Sequence, residues 1–434
     1  MRSRILWRRT TASLGTYASV LLGILGTFVA AHTFDDKHKF GVYATALVAA
    51  SFFQTLLDLT AEESLTKYGF AFVTAGDWAR LRRLFGTALR LKLAGGVLAA
   101  AALVALAPFA DAIFNGALKT PLFVVAPLPL LQAPENVATS ALLLRERYDV
   151  RAGFLSVSMA LRLLGIAIGA QFGVTQALLG VVLGQAVSSA AVGTAGIAAF
   201  RKFPSVPSAE LAEYRPGIVR FVFQSSVATG MLALRTALAP LLLGGVTNTT
   251  EVGIFRAAQA PQSGFAALSA PARMILLTEQ TRDWERGRHA DVVRGVVRYM
   301  LGAGALMAVS VPFFYWLMPD LVRIALGSSL LEAVRPARII LFAAAIQLVL
   351  GWTKSIPVSI GRPNLRILAH GIETAVLLPL VLVFGEAWEA TGAAVALLVS
   401  TIVFALVWAV LFVQIWRQVA SGRTLARAGE VVAS

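Results

Sequence analysis

The stretch FGVYATAL at residues 40–47 has a counterpart in VGIFRAAQ at residues 252–259, which begins 212 positions later. A second pair has the same separation: TQALLGVVLGQAV at residues 175–187 and EATGAAVALLVSTIV at residues 389–403 align Gly180 with Gly392. In the first pair Gly41 and Gly253 are equivalent. Equal separations at two distant places indicate that the chain contains two copies of one structural plan.

The composition places both copies in a membrane. The 434 residues are 57% hydrophobic and only 14% charged, with a mean hydropathy of +0.74, whereas a soluble domain carries about 25% charged residues. The sequence has no cysteine, which excludes disulfides, thiolate catalysis and cysteine metal sites. Its four histidines form no close pair on a helix face, so we expect no metal site and no cofactor.

The apolar residues come in blocks of about 20 residues, the length that crosses a bilayer as a helix. We therefore predict an all-α polytopic membrane protein with about twelve transmembrane helices. The basic N-terminal segment MRSRILWRRT leads directly into the first of them, which we interpret as uncleaved. The predicted spans are 11–31, 41–65, 86–109, 121–144, 153–172, 176–200, 217–243, 252–277, 296–317, 337–357, 367–384 and 391–415.

The distribution of Lys and Arg sets the orientation. Segments on one side of these spans hold 28 of the 38 basic residues, including Lys92 in the connection after the second span. The opposite side holds 6, and 4 lie inside spans. Basic residues concentrate on the cytoplasmic side of membrane proteins, so both termini should be cytoplasmic and the protein should lie in the inner membrane. Because topology explains the net charge of +15, we expect no nucleic-acid partner.

The repeat also predicts the architecture. Residues 1–203 and 204–434 would form two pseudo-symmetric six-helix bundles around a central cavity. Six is an even number, so both bundles enter from the same membrane face and the repeat is parallel. Transporters built on such repeats bind their substrates between the two halves.

One predicted span carries a charge near its centre. Arg235 is ten residues from Gly245, about 15 Å along a helix, and a guanidinium in contact with lipid there would cost at least about 2.5 kcal/mol. It should therefore face the protein interior or a wet cavity. Arg220, Gln224 and Met231 fall on the same helix face, so a polar stripe should run from the cytoplasmic end to Arg235. The alternative is an Arg paired with a carboxylate that locks two helices.

Three other charged residues lie within predicted spans. Arg162 is about 16 Å beyond Arg151, and Lys354 is about 12 Å from Arg362. Arg256 lies near the outer end of its span, where it would reach the interface or line the outer mouth. Arg binds phosphate through paired hydrogen bonds, so these cations could receive an anionic headgroup.

Four acidic residues are candidates for coupling to a proton or sodium gradient. Glu135 follows Pro134 near the midplane, where it would carry a proton or form an ion pair with Arg162 or Arg235. Asp58 and Glu62 should share one helix face near the cytoplasmic surface, as a coupling site, a structural pair or a hinge. Glu373, close to His370, is the fourth candidate.

The segment KFGVYATALVAASFFQTLLDLTAEESLTKYG at residues 39–69 resembles the flippase branch of the multidrug/oligosaccharidyl-lipid/polysaccharide superfamily. The similar features are Gly41-x-Tyr43, the apolar stretch after it and the pair Asp58-Leu59; Thr60 replaces the glycine that usually follows. The resemblance covers essentially the whole chain. It implies two six-helix bundles in a V shape, alternating access and an undecaprenyl-diphosphate-linked glycan as substrate.

Three functions are compatible with these patterns. The leading hypothesis is a transporter of a lipid-linked oligosaccharide in polysaccharide or lipopolysaccharide biosynthesis. A cation-coupled multidrug antiporter would instead need a cavity rich in acids, and a membrane glycan polymerase or ligase would need a large outer loop and a catalytic constellation that the sequence lacks. We therefore predict a monomeric transporter without catalytic residues. Its partners would be the lipid-linked oligosaccharide and membrane lipids. The basic, amphipathic segment 77–93 should lie on the anionic cytoplasmic surface of the membrane, and the alternative is that it docks a glycan-assembly enzyme.

Overall fold

The computed structural model describes residues 2–360, 362 and 364–420. These residues are predominantly helical, and no strand occurs in this part of the chain. The chain divides into two compact units, Met1–Gly253 with Ala325–Ser329 and Ile254–Ile324 with Leu330–Ser434. Packing thus assigns residues 204–253 to the first unit. The boundary between residues 203 and 204 follows the sequence repeat and stays a prediction.

The first unit contains ten helices and the start of an eleventh. They are α1 Arg2–Phe34, α2 Lys37–Leu56, α3 Ala61–Ala75, α4 Trp78–Ile113, α5 Lys119–Val125, α6 Leu128–Leu144, α7 Tyr148–Gly169, α8 Val174–Arg201, α9 Arg215–Ala233, α10 Ala239–Val246 and α11 Thr249–Ala258. A π-helical turn, Leu234–Leu238, joins α9 to α10.

The second unit continues from α11. It contains α12 Ala260–Glu285, α13 His289–Leu326, α14 Val334–Val349, α15 Ile356–Ser359 and α16 Asn364–Ala420. The backbone of α16 leaves the helical conformation at Trp388 and Glu389. This bend separates the predicted spans 367–384 and 391–415, which both lie within α16. In the core of the second unit, the buried side chains of Trp352 and Trp408 pack edge to face, with ring centroids 5.5 Å apart.

Among the described residues, seven helices are long and apolar enough to cross a membrane, and the bent pair of α2 and α3 makes an eighth span. The other predicted spans correspond to shorter or broken helices: 121–144 to α5 and α6, 252–277 to α11 and α12, and 337–357 to α14 and α15. The order of the helices thus fits the twelve-span prediction. The chain is an all-α multi-pass membrane protein.

Two pairs of residues that occupy equivalent positions in the sequence repeat are in contact inside the first unit. A Cβ atom placed on Gly253 would lie 2.6 Å from the Cα atom of Gly41. Three residues before each glycine, Nδ1 of His38 and Oγ1 of Thr250 are hydrogen-bonded at 2.6 Å. The two equivalent segments therefore lie against each other within the first unit.

Replacing Gly41 with alanine should lower the free energy of unfolding by about 1–3 kcal/mol, because the methyl group would overpack this contact. A Cβ atom at Gly41 would lie 2.8 Å from the Cα of Thr250, and backbone atoms cannot rotate away. Gly86 in α4 is the matched control, since a Cβ there has open space within 4 Å. Thermal unfolding in detergent measures both variants; equal stability of G41A and G86A would contradict the close contact.

Candidate functional site

A polar cluster lies inside the first unit where α6, α7 and α8 meet. Nε of Arg162 donates to Oε1 of Gln185 at 2.8 Å, and Nη2 of the same guanidinium also bonds to that oxygen. Nε2 of Gln185 donates to Oε2 of Glu135 at 2.6 Å. A guanidinium only donates and a carboxylate only accepts, so these two neighbours fix the orientation of the amide between them.

Further polar groups extend the cluster across four helices. Ser189, one turn along α8, accepts from Nε2 of Gln185 at 2.7 Å and lies 3.3 Å from Oε2 of Glu135. Gln132 of α6 donates to Oε1 of Gln185 at 3.4 Å and accepts a hydrogen bond from Gln54 of α2. Hydrogen-bonded polar side chains inside membrane proteins stabilise helix association and are frequently functional.

Small residues allow these helices to approach closely enough for such contacts. A Cβ atom on Gly184, next to Gln185, would lie 2.9 Å from the carbonyl oxygen of Leu161, next to Arg162. Gly165 and Gly180 lie against each other's backbone one turn further along. Close backbone approach through small residues is the usual way in which membrane helices pack. Gly184 thus places the amide of Gln185 within reach of Arg162.

The structure therefore brings together two predicted residues, Arg162 and Glu135, through an amide that the sequence analysis did not single out. The sequence left open whether Glu135 forms an ion pair with Arg162 or Arg235; the observed link to Arg162 runs through Gln185. The roles of Arg162 in substrate binding and of Glu135 in coupling stay predictions.

A second charged cluster lies at the break between α2 and α3. Lys92 of α4 forms ion pairs with Asp58 in the break and with Glu62 in the first turn of α3, the latter at 2.7 Å. Its side chain is only 3% exposed. Lys92 is buried within α4, which begins at Trp78, and does not lie in a connection between helices; its assignment to the cytoplasmic side stays a prediction.

The expectation of one continuous helix through Asp58 and Glu62 was wrong, since α2 and α3 meet at an angle of 45°. Gly95 of α4 allows the break to pack closely: a Cβ atom there would lie 2.6 Å from the carbonyl oxygen of Leu57. A cavity of about 20 Å³ adjoins Asp58 and Lys92, enough for one water molecule. This geometry stabilises a bent helix, and a role of the two acids in coupling stays a prediction.

The predicted polar stripe lies on α9 and the turn that follows it. Arg220 and Gln224 are both exposed, and Arg235 is half-buried. Arg235 belongs to the π-helical turn Leu234–Leu238, which ends two residues before Pro240. A proline has no backbone N–H to bond to the carbonyl four residues earlier, which explains why the helix widens there. Such π-bulges are frequent at functional sites.

The remaining predicted residues belong to α11 and to the second unit. Arg256 of α11 donates to Gln259 at 2.8 Å. Lys354 ends the 3-10 turn Gly351–Lys354 and is exposed. Glu373 of α16 is fully buried and lies 3.0 Å from Nδ1 of His370, whose ring stacks on Phe404. Among the described residues, no group of three His, Asp or Glu side chains could hold a metal ion.

Solved structures of two kinds of transporter share this arrangement of helices. The lipid II flippase MurJ in an inward closed conformation matches with a TM-score of 0.71 and 14% identity, over 94% of this chain and 90% of that one. An inward-facing multidrug resistance MATE family transporter matches with a TM-score of 0.70 and 12% identity, over 95% and 96% of the two chains. The chain has the fold of the multidrug/oligosaccharidyl-lipid/polysaccharide superfamily.

A third match agrees with this result. It is a transporter of this superfamily from Pyrococcus furiosus whose binding pocket is described as having reverse polarity, with a TM-score of 0.65 and 11% identity over 95% of this chain and 96% of that one. No family model matches the sequence, and no curated protein does. The fold that the resemblance of residues 39–69 implies is thus confirmed, and identities of 11–14% show the fold alone.

Gln185 and Lys92 are central to these clusters and were missed as such by the sequence analysis, although each left a signal. Gln185 is an amide within the apolar helix α8, four residues before Ser189, and a polar pair inside a span predicts an interhelical contact. Lys92 lies three residues before the Gly95-Gly96 pair, at a depth where α4 is already apolar. A charge at that depth requires a partner, and Asp58 and Glu62 of the preceding span were available.

Proposed function

We propose that the chain translocates an anionic polyprenyl-diphosphate-linked oligosaccharide across the cytoplasmic membrane by alternating access. The observation that carries the proposal is the polar stripe of α9. A helix apolar enough to span the membrane carries Arg220 and Gln224 on its exposed face, and the half-buried Arg235 follows in the π-helical turn. A diphosphate crossing an apolar slab needs donors that replace its water, and guanidinium groups supply them in pairs.

Arg162 would contribute from within the first unit. Two N–H groups of Arg162, at Nε and Nη2, donate hydrogen bonds to Gln185. A guanidinium carries five N–H donors in total. Donors therefore remain for a phosphate oxygen. Glu135, one amide away, would carry the proton that couples translocation to an ion gradient. Lys354 and Arg256 would assist substrate binding, and Glu373 would be a further coupling group.

A multidrug antiporter is the second candidate, because the MATE transporter matches as well as the flippase does. The two functions require opposite charge in the binding cavity. A drug cation would bind to carboxylates, but Asp58 and Glu62 are both engaged by Lys92. The pairing of these acids and the arginines of α9 favour an anionic substrate.

Reconstitution into liposomes separates the two candidates. The probes are a fluorescent N-acetylglucosamine linked to farnesyl diphosphate, whose flipping is read from dithionite quenching, and ethidium, whose uptake is read under a pH gradient. We expect the lipid probe to flip at least ten times faster than in protein-free liposomes, without ethidium uptake. Ethidium uptake without flipping of the lipid probe would establish the antiporter instead.

A further inference from the structure

The exposed face of α9 carries an apolar track beside the polar stripe. Val219, Phe223 and Val227 are between 46% and 68% exposed and follow one another at intervals of four residues. Arg220 and Gln224 each follow a member of this track by one position, which is about 100° around the helix. Two tracks of different chemistry therefore run side by side on one helix.

The opposite face of α9 is committed to packing. Tyr214 packs against Phe72 with ring centroids 5.2 Å apart, and Ile218 and Val222 are buried in the same core cluster. Further along, Oγ of Ser226 accepts a hydrogen bond from the backbone N–H of Thr60 at 3.1 Å. These contacts hold one face of α9 against α3 and the α2–α3 break, and the exposed residues lie on its other face.

Cations cluster where the apolar track begins. Arg215 and Arg220, together with Val219 and Phe223, line an open groove of about 550 Å³. Nζ of Lys67 adds a third positive charge at this end of the helix, 4.5 Å from the ring centroid of Phe221. A ligand that fits has an anionic head and an apolar chain, with the chain directed along α9 away from the groove.

We propose that the apolar track of α9 holds the polyprenyl tail of the substrate while the polar track receives its diphosphate. This inference rests on the proposed function. An ordinary anionic phospholipid keeps its head at the surface, so it would use only the cations at the start of the helix. A transported head must move inward, and Arg235, the next charged residue of the stripe, lies about 22 Å along the helix from Arg220. The apolar track covers about 12 Å, the first half of that path, from Val219 to Val227, and keeps the start of the tail beside the head in lipid.

The absence of native cysteine makes site-specific crosslinking direct. A benzophenone maleimide is attached to F223C or V227C in the full chain, in phosphatidylcholine nanodiscs that contain radiolabelled undecaprenyl diphosphate. L183C in α8 is the matched control, because Leu183 is an equally exposed apolar residue, at 57%. We expect at least five times more radiolabelled adduct at positions 223 and 227 than at 183, and a fivefold loss when R215A and R220A are added.

Equal yields at the three positions would overturn the proposal. So would full displacement by an equal mole fraction of phosphatidylglycerol, because the site would then hold any anionic lipid. The assay needs no transport and no glycan, so its outcome is separate from the liposome experiment. If crosslinking shows no preference but the lipid probe is still flipped, only the proposal of a tail track on α9 is wrong. If adducts form but the probe is not flipped, the protein has a prenyl-diphosphate site and does not transport this lipid.

Discussion

Replacing Arg235 with alanine is expected to lower flipping of the lipid-linked probe by roughly 10- to 150-fold, with the protein still folded and inserted. A hydrogen bond to a charged group contributes about 1.5–3 kcal/mol, and each 1.4 kcal/mol is about tenfold. Arg235 lies in a π-helical turn, where the backbone is already distorted by Pro240. Removing its side chain should therefore affect the substrate more than the helix. Initial rates in liposomes at matched protein density measure the effect.

Two further variants establish the chemistry. R235K keeps the charge and loses the planar fork, so intermediate flipping would indicate paired contacts with phosphate. R201A is the matched control, since Arg201 is an exposed arginine at the C-terminal end of α8. Flipping by R235A at the rate of the unmodified protein would remove Arg235 from the mechanism. Full activity of R235K would reduce its role to simple charge.

The sequence predicted the fold well because the fold depends on periodic features. Blocks of apolar residues set the helices, and the separation of 212 residues aligned Gly41 with Gly253, which contact each other in the structure. Breaks were harder to predict. No proline or glycine in the sequence marks the break between α2 and α3. The bend is stabilised by Lys92, which lies on another helix and pairs with Asp58 and Glu62.

The sequence pointed to the charged residues of the candidate site, but it did not predict the hydrogen bonds that connect them. Arg162, Glu135 and Arg235 were found because a charge inside a span is conspicuous in a sequence. Gln185 was missed because an amide raises the polarity of a helix only slightly, although it donates to Glu135 and accepts from Arg162. Which polar groups meet depends on helix rotation and on close contacts such as that of Gly184, and neither follows from hydropathy.

Replacing Lys92 with methionine is expected to lower the free energy of unfolding by about 3–5 kcal/mol, because it removes one partner from a buried ion cluster. Asp58 and Glu62 are only 22% and 21% exposed, and both bind the same ammonium group. Without it two carboxylates face each other at a helix break, with one water-sized cavity to solvate them. Thermal unfolding in detergent, read from tryptophan fluorescence, measures the loss against K202M, a matched change at an exposed lysine.

The triple variant K92M/D58N/E62Q distinguishes charge from packing. If the loss in K92M comes from unpaired carboxylates, then neutralising both acids should restore most of the stability, because replacing a whole buried ion cluster by neutral groups is often close to neutral in free energy. If the aliphatic stem and the amine geometry matter instead, the triple variant will be no more stable than K92M. Equal stability of K92M and K202M would show that the cluster does not hold the bend. The packing of Gly95 against Leu57 would then be its main support.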